Sequence, residues 1–329
     1  MMGLSLTMIA ILGLGVYQAF RYFSGSSPAK LDPKTLIISL LGSNSASQTI
    51  TNILGTKFSK FNLSVGEKKP DVKSGDDDFV PEGNPILKFA LVADSHNDNE
   101  SLAKALSQAK QAGASFVIGL GDFSDTGTLD ELQKAKDVFE ASGLPFYLTA
   151  GDHDLWAARD KGLNAAANFS EVFDSPYQTF RSSNIQFVIV YNSDNYRGLD
   201  GVERQWLEDT LQKAQENKPK AILVFLHEPL YHPTSDHFMG SPRKGEEQQN
   251  NQEIINQAKE LIKLFKDNNV AGVIAGDTHA FLRYRDPDTG LKLTTTGAVT
   301  RERNAEPPKF AVVDVYQDGS YNISDIEIK

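Results

Sequence analysis

Residues 270–279 read VAGVIAGDTH, an apolar run that ends in two ionisable side chains, Asp277 and His279. A short run of this kind, rich in Val and Ile, predicts a buried strand. Ionisable groups are costly to bury unless they are paired or bind a ligand. In open α/β sheets, ligands bind beside the carboxyl ends of the strands. If other runs of this chain end in the same way, their polar side chains will meet at one edge of a sheet.

Four more apolar runs do end in Asp or His. They are ILKFALVAD (86–94), SFVIGLGD (115–122), PFYLTAGD (145–152) and AILVFLHE (221–228). The candidate side chains at these ends are Asp94, His96, Asp122, Asp125, Asp152, His153, Asp154 and His227. Taken alone, the Asp endings are as typical of a helix cap or a turn, and a lone His227 is more often a hydrogen-bonded core histidine than a ligand. Together, however, so many carboxylates would repel one another, and divalent cations relieve that repulsion. We therefore predict a dinuclear metal site.

Amphipathic stretches separate the apolar runs. Helices are predicted at 100–113, 128–143, 201–215 and 249–269, and hairpins with Asp-containing turns at 282–299 and 309–328. Strands that alternate with helices and are followed by hairpins are typical of the α/β class. We expect two facing sheets with helices on the outside.

The order of these polar blocks resembles a known family. The chain carries D-x-H at 94–96, G-D-x-x-D at 121–125, G-D-H-D at 151–154, a strand-end His227 and G-D-x-H at 276–279. This order is similar to that of the calcineurin-like metallophosphoesterase superfamily, over residues 86–329. The stretches GDFSDTG and HEPLYH look closest to its cyclic-nucleotide phosphodiesterase-like branch. The resemblance implies a four-layer α/β-β/α sandwich that hydrolyses a phosphomonoester or phosphodiester with two metals.

The resemblance also implies a role for each matching residue. The first metal would be bound by Asp94, His96, Asp122 and His279, and the second by the bridging Asp122 with Asp152, His227 and Asp277. A metal-activated hydroxide would attack phosphorus, and His153 would give a proton to the leaving oxygen as general acid. Asp125 would hydrogen-bond to His153 and orient it.

Two positions depart from the family pattern, and both belong to the second metal. Asp152 stands where the family has Asn, and Asp277 stands where it has the first His of G-H-x-H. Both residues can still bind a metal, but they make the site harder and more negative. The sequence therefore favours Mn, Fe or Mg, with Zn possible.

Candidates for substrate contacts are weaker. His232, His237 and Arg243 lie in a turn-rich stretch after His227 that could overhang the site, although a solvated loop is the competing interpretation. The other candidates are Arg283, Arg301 and Arg303, which could bind phosphate or form surface salt bridges.

The composition of the chain limits the remaining classes of function. The chain has 329 residues, 40% hydrophobic residues, no cysteine and a formal net charge of −10. Thiol chemistry and thiolate metal ligands are excluded. The acidic balance argues against a nuclease with a broad basic surface. A nuclease and a catalytically impaired metal-binding scaffold protein remain the alternatives, and the oligomeric state is not specified.

The N-terminal region has a different character. Residues 1–20 carry no charged side chain and are long enough to cross a membrane, so we expect 1–21 to be a transmembrane anchor; the alternatives are a cleaved signal and a buried helix of a soluble protein. Residues 22–85 are predicted to be a mostly irregular linker to the phosphoesterase domain at 86–329. The expected location is a membrane, with a single-pass anchor and an undetermined side.

Overall fold

The computed structural model describes residues 83–241 and 251–329. The predicted anchor or signal at 1–21, nearly all of the predicted linker at 22–85, and Arg243 lie outside these residues. Among the helices of the described residues, none has both the length and the apolar character needed to span a bilayer.

The first sheet combines parallel and antiparallel strands. Its strands are β1 (Leu87–Val92), β2 (Val117–Gly119), β3 (Phe146–Leu148), β10 (Lys309–Val315) and β11 (Tyr321–Glu327). They lie in the order β11-β10-β1-β2-β3. β1, β2 and β3 are parallel, so their carboxyl ends share one edge. β10 and β11 form the hairpin that the sequence predicts.

The second sheet has a parallel centre with a hairpin at each side. Its strands are β4 (Gln178–Ser182), β5 (Ile185–Ile189), β6 (Ala221–Phe225), β7 (Gly272–Ala275), β8 (Leu282–Arg285) and β9 (Lys292–Thr295). Their order is β4-β5-β6-β7-β9-β8, and the neighbours from β5 to β9 are parallel. The hairpin of β8 and β9 was predicted, whereas β4 and β5 were not.

The helices agree with the four amphipathic stretches and add two short ones. They are α1 (Asn99–Gln111), α2 (Leu129–Ser142), α3 (Trp156–Asp160), α4 (Ala167–Phe173), α5 (Gly201–Asn217) and α6 (Gln252–Asp267). A 3-10 turn, His153–Leu155, precedes α3. Helix α2 shows why these stretches become helices. Thr128 and Glu131 cap each other at its start, and Gly143 ends it at φ 68°.

Three hydrophobic cores separate the layers. Between the sheets, the Phe89 ring meets those of Phe187 and Phe225 edge-on, with ring centroids 5.3 and 5.9 Å apart. Helices α1 and α2 cover the outer face of the first sheet with side chains such as Leu102, and α5 and α6 cover the second with side chains such as Phe265. The mixed α/β fold with two sheets is as predicted.

Candidate metal centre

The polar residues at the strand ends meet at one edge of the molecule. Asp94 follows β1, Asp122 follows β2, Asp152 follows β3, His227 follows β6 and Asp277 follows β7. All five are buried. Ligand atoms lie within 4.8 Å of one another in four groups: Asp94, His96 and His279; His96, Asp122 and His153; Asp94, Asp122 and His227; Asp152, His227 and Asp277. The structure thus brings together all seven residues expected to bind metal.

After several strands, the backbone adopts the left-handed conformation. The φ angles are 55° at Asp94, 55° at Asp122 and 65° at Asp277, and His96 and His279 have 43° and 55°. Such conformations cost about 1–3 kcal/mol each in a residue other than glycine, and they cluster at functional sites.

Asp122 lies between the two groups of candidate ligands. Its Oδ2 is 3.6 Å from Nε2 of His96, and its Oδ1 is 3.6 Å from Nε2 of His227. The two oxygens therefore face opposite groups, which is the arrangement that a bridging carboxylate needs. Gly151 makes room for this carboxylate, because a Cβ there would lie 2.0 Å from Oδ1 of Asp122.

His227 is oriented as a metal ligand would be. Its Nδ1 lies 2.7 Å from the carbonyl oxygen of Leu120, which can only accept, so Nδ1 carries the proton. In the neutral ring, Nε2 then presents a lone pair to Asp122, Asp152 and Asp277 at 3.6, 3.4 and 3.9 Å. This buried Nε2 has no hydrogen-bond partner among the described residues. A cation between the nitrogen and the carboxylate oxygens satisfies all of them.

The pKa values of the clustered side chains also indicate a cation site. Burial raises the pKa of Asp94, and it raises that of Asp122 well above its usual range. For His227, burial lowers the pKa, but nearby carboxylates, chiefly Asp122, raise it well above its usual range. Burial and neighbouring imidazoles lower the pKa of His96 to about 3, so its ring is a neutral nitrogen donor. The donor set fits divalent cations, which would replace protons as the compensating charge.

His153 stands beside these groups. Its Nδ1 is 2.8 Å from the backbone carbonyl oxygen of Asp125, and its backbone N–H donates to Oδ1 of Asp122 at 2.9 Å. The sequence assigned the orienting role to the Asp125 side chain, but that carboxylate instead accepts from Asn97 at 3.1 Å and pairs with Arg303 at 3.2 Å. The backbone carbonyl of Asp125 therefore orients the His153 ring, and the Asp125 side chain turns toward Asn97 and Arg303.

Asp154 has a role that the sequence did not reveal. It is fully buried, and its Oδ1 accepts from the N–H and hydroxyl of Ser124 at 3.0 and 2.7 Å. Its Oδ2 accepts from the N–H of Gly151 at 3.0 Å and lies 3.4 Å from that of Phe123. This carboxylate joins the loop that carries Asp122 to the loop that carries His153. The sequence shows Asp154 as the last residue of the G-D-H-D motif, but it does not show which four groups donate to its carboxylate.

A cavity of about 800 Å³ opens beside the candidate ligands. Its lining includes His96, Asp122, Asp152, His153, Trp156, Arg159, Asn195, Tyr196, His237, Asp277, His279 and Arg303. Two of the weaker candidates for substrate contacts, His237 and Arg303, thus border the site. His237 Nδ1 is 3.6 Å from Oδ1 of Asp277, and the carbonyl of Arg303 lies 3.3 Å from Nδ1 of His279.

Three other candidates do not line this cavity. His232 is buried, and its Nδ1 accepts from the N–H groups of Thr234 and Ser235 at 3.3 and 2.8 Å, so it shapes its own loop. The Arg301 guanidinium pairs with Glu100 at 3.0 Å. Arg283 donates to residues of β11 and borders a separate cavity. His232 and Arg301 are therefore not among the residues that line this cavity.

Sequence reasoning also missed cavity residues after β5 and in α3. Asn195 Nδ2 lies 3.5 Å from Oδ2 of Asp152, and Tyr196 and Trp156 lie in the wall. The sequence does contain a pattern that could have indicated Asn195 and Tyr196. The run IQFVIV at 185–190 is an apolar strand followed by polar residues, as at the other strand ends.

Comparisons with known proteins identify the family of the chain. The calcineurin-like phosphoesterase family model matches residues 87–281. A probable glycerophosphodiester phosphodiesterase from Arcobacter nitrofigilis is 27% identical over 127 residues, which cover 35% of this chain and 41% of that protein. The match therefore spans well under half of that relative's length.

Two solved structures share the fold. A dimetal phosphatase from Danio rerio aligns with 75% of this chain and 100% of its own, at 17% identity and a TM-score of 0.53. A purple acid phosphatase from yellow lupin, Lupinus luteus, aligns with 75% of this chain and 52% of its own, at 12% identity and a TM-score of 0.51. Because the family model covers more than half of the 329 residues, the chain belongs to the calcineurin-like phosphoesterase family.

Proposed function

We propose that this enzyme hydrolyses small phosphomonoesters or phosphodiesters at a centre of two divalent cations. The observation that carries the proposal is the position of Asp122, whose two carboxylate oxygens each lie 3.6 Å from an imidazole nitrogen on opposite sides. One carboxylate facing two donor groups is suited to hold two cations at once. A single structural ion, as in a scaffold protein, would not need this arrangement.

Two sets of residues would hold the cations. The first is Asp94, His96, Asp122 and His279, and the second is Asp122, Asp152, His227 and Asp277. When bound, the two cations supply charge that polarises the phosphate and lowers the pKa of an attacking water. The carboxylate-rich second set favours Mn, Fe or Mg over Zn. His237 lies beside Asp277, and we infer that it adds an imidazole to this set.

His153 is suited to serve the leaving group. The carbonyl of Asp125 holds a proton on Nδ1, so Nε2 is the nitrogen that can give up a proton when the ring is charged. In the hydrolysis, a water oxygen bonds to phosphorus while the ester P–O bond breaks. His153 gives its Nε2 proton to the departing oxygen, which leaves as an alcohol. Arg303, in the same cavity wall, offers a planar pair of donors for a phosphate oxygen.

The substrate class is inferred from the net charge of the chain and from the name of its aligned relative. The aligned protein of Arcobacter nitrofigilis is named as a probable glycerophosphodiester phosphodiesterase, so diesters are the first class to test. A nuclease is the less favoured alternative, because a net charge of −10 gives little attraction for a nucleic-acid backbone.

The test is hydrolysis and metal content of the purified full chain. With Mn²⁺, bis-p-nitrophenyl phosphate or p-nitrophenyl phosphate should be hydrolysed, and about two ions per chain should remain after dialysis. Asp122→Asn should abolish turnover and lower the content to about one ion or less. Asp286→Asn, a buried aspartate in the β8–β9 turn, is the matched control and should keep both. Wild-type turnover in Asp122→Asn, at equal metal supply, would refute the dinuclear assignment.

We also propose, from the sequence alone, that residues 1–21 attach the enzyme to a membrane. The support is the absence of charged side chains before Arg21. Deletion of residues 1–22 should move the protein from the membrane fraction to the supernatant without loss of activity. A truncated protein that still sediments with membranes after a high-salt wash would refute the anchor.

A further inference from the structure

A second cavity, of about 400 Å³, lies at the opposite ends of the strands from the candidate metal centre. Its lining includes Ala271, immediately before β7, and Tyr321, the first residue of β11. The candidate metal ligand Asp277 follows the other end of β7. Strands β8 and β11, each the outermost strand of its sheet, form two of the walls. This cavity between two sheet edges is therefore separate from the metal centre.

Three cationic side chains line this cavity, whereas none of the described residues in its lining is acidic. They are Arg283 and Arg285 of β8 and Lys292 of β9. Arg285 lies directly opposite Lys292 in the hairpin, and Arg283 shares their face because it is two residues from Arg285. Like charges opposite each other in an antiparallel pair are destabilising. An anion in the cavity would therefore stabilise the hairpin.

Neutral acceptors hold the two guanidinium groups at the cavity wall. Nη2 of Arg283 donates to Oδ1 of Asn322 at 3.2 Å. Nη1 of Arg285 donates to the carbonyl oxygen of Gly290 at 3.1 Å. Burial raises the pKa of Tyr321 to about 12, and both guanidinium groups oppose that rise. The two positive charges therefore act at the same place in the cavity, where both would attract an anion.

One stretch of the sequence carries the complementary charge. Residues 71–79 read DVKSGDDDF, and Asp76, Asp77 and Asp78 form the only run of three consecutive acidic residues in the chain. We call residues 76–78 the acidic run. It lies outside the described residues, and its last member is nine positions before Leu87, where β1 begins.

The chain between the acidic run and β1 is long enough to reach the cavity. Just before β1, the N–H of Ile86 donates to the carbonyl oxygen of Val315 at 2.8 Å, and Val315 is paired with Tyr321 in the cavity wall. The start of β1 is thus two strand spacings, about 10 Å, from this wall. Nine residues span up to about 30 Å when extended. The acidic run can therefore occupy the cavity while β1 keeps its place in the sheet.

We propose that the acidic run binds in the cavity between β8 and β11 and pairs with Arg283, Arg285 and Lys292. Carboxylates match the planar donors of a guanidinium group, and three carboxylates would face three cations here. Bound in this way, the stretch that leads into β1 stays at the strand ends remote from the metal cavity, so substrate can enter that cavity. Exposed ion pairs are individually weak and are screened by salt, so the bound state should be sensitive to salt.

Cross-linking tests whether the acidic run occupies this cavity. The chain has no cysteine, so two introduced cysteines report on a single pair of positions. In the full chain, Gly75→Cys combined with Ser320→Cys, in the cavity wall, should form an intramolecular disulfide on mild oxidation. About 1 M NaCl, or replacement of the three Asp by Asn, should lower its yield by about threefold or more.

The control combines Gly75→Cys with Lys213→Cys, an exposed position of α5 in a cavity beside β4, at the other outer edge of the second sheet. This pair should give little disulfide. Equal yields for the two pairs, or a yield that neither salt nor Asn changes, would overturn the proposal. Disulfide-linked dimers in place of the intramolecular product would assign the cavity to the acidic run of a second copy and would also overturn it.

Limited proteolysis tests the charge of the acidic run. Trypsin cuts after Lys73, three residues before the run, and after Lys34 in the same N-terminal region. Replacement of the three Asp by Asn should speed cleavage after Lys73 by about threefold or more, the low end expected for three surface ion pairs, and leave cleavage after Lys34 unchanged. The same rate after Lys73 in both proteins would contradict the proposal.

Substitutions in the cavity complete the test without changing the cleaved sequence. Arg285→Gln combined with Lys292→Gln should speed cleavage after Lys73 as much as the Asn variant does, and the two sets together should add nothing further, because each already releases the run. Lys259→Gln, at an exposed position of α6, is the matched control and should cut like wild type. Additive effects of the two sets would show that they act independently and would overturn the proposal. Neither experiment measures turnover, so both can be read even if the proposed function fails.

Discussion

Replacement of Asp154 by Asn tests whether one buried carboxylate holds the metal-binding loops together. Asp154 accepts from the N–H and hydroxyl of Ser124 through Oδ1, and its Oδ2 faces the N–H groups of Gly151 and Phe123. Asn has nearly the same shape, but one of its two terminal atoms donates instead of accepting. Whichever way the amide turns, it must point its N–H₂ group at donors.

The cost can be worked out from these contacts. The cheapest arrangement places the amide nitrogen at the Oδ1 position, because the Ser124 hydroxyl can rotate and accept from it. The Ser124 N–H is then buried without a partner, which costs about 1–3 kcal/mol. The bonds to the other oxygen also lose the strength that the charge gave them. We expect a total destabilisation of about 2–4 kcal/mol, or about 4–16 °C in melting temperature for a domain of this size.

The assay is thermal unfolding of wild type, Asp154→Asn and Ser124→Ala, each with Mn²⁺ and each followed by measurement of bound metal. Ser124→Ala keeps the Asp154 carboxylate but removes the hydroxyl that donates to it and that accepts from the Gly127 N–H at 3.0 Å, so it should cost about 1–3 kcal/mol and leave the metal bound. Asp154→Asn should in addition lose metal on dialysis, because the loops of Asp122 and His153 are no longer joined. A melting temperature within about 2 °C of wild type, with full metal content, would show that Asp154 does not hold the two loops together.

Three further predictions concern the second cation and a buried acid. Asp277→Ala should lower the bound metal from about two ions per chain to about one; full content and full rate after dialysis would show that Asp277 is not a ligand. His237→Ala should weaken the second ion by about tenfold or more in calorimetry, and unchanged affinity would exclude His237 as a ligand. Burial raises the pKa of Glu203 to about 8, above its ordinary 4.5, so the folded state keeps a proton that the unfolded state has lost, and stability falls as the pH rises through this window. Glu203→Gln should remove about 4 kcal/mol of the decrease seen between about pH 5 and pH 9 in denaturant titrations, and an equal decrease in both proteins would refute it.

Much of the fold and of the site follows from local sequence. Each candidate ligand stands directly after an apolar run, and parallel strands bring such positions to one edge whatever lies between them. That is why Asp94, Asp122, Asp152, His227 and Asp277 could be proposed together. The helices were predictable for the same reason, since their amphipathic period and caps are local features.

Other features depend on contacts between distant segments. His232 and His237 lie in one turn-rich stretch, and nothing in the sequence distinguishes them. In the fold, His232 turns inward to accept from the N–H groups that follow it, and this leaves His237 beside Asp277. Trp156 and Tyr196 are likewise 40 residues apart and share a cavity only because α3 and the loop after β5 converge.

Strain and charge coincide at the candidate metal centre, and the sheets hold both. Asp94, Asp122 and Asp277 combine a left-handed backbone with a buried carboxylate. Neither would persist in a mobile loop, since each residue could relax to a lower-energy conformation exposed to water. Each, however, comes just after a strand in which residues such as Leu91 and Ile274 are fully buried between the sheets. Core substitutions and ligand substitutions should therefore act differently. A cavity in the core relaxes the loops and impairs metal binding indirectly, whereas replacement of a strained carboxylate by Gly removes a ligand and relieves its strain, so it should reduce activity more than stability.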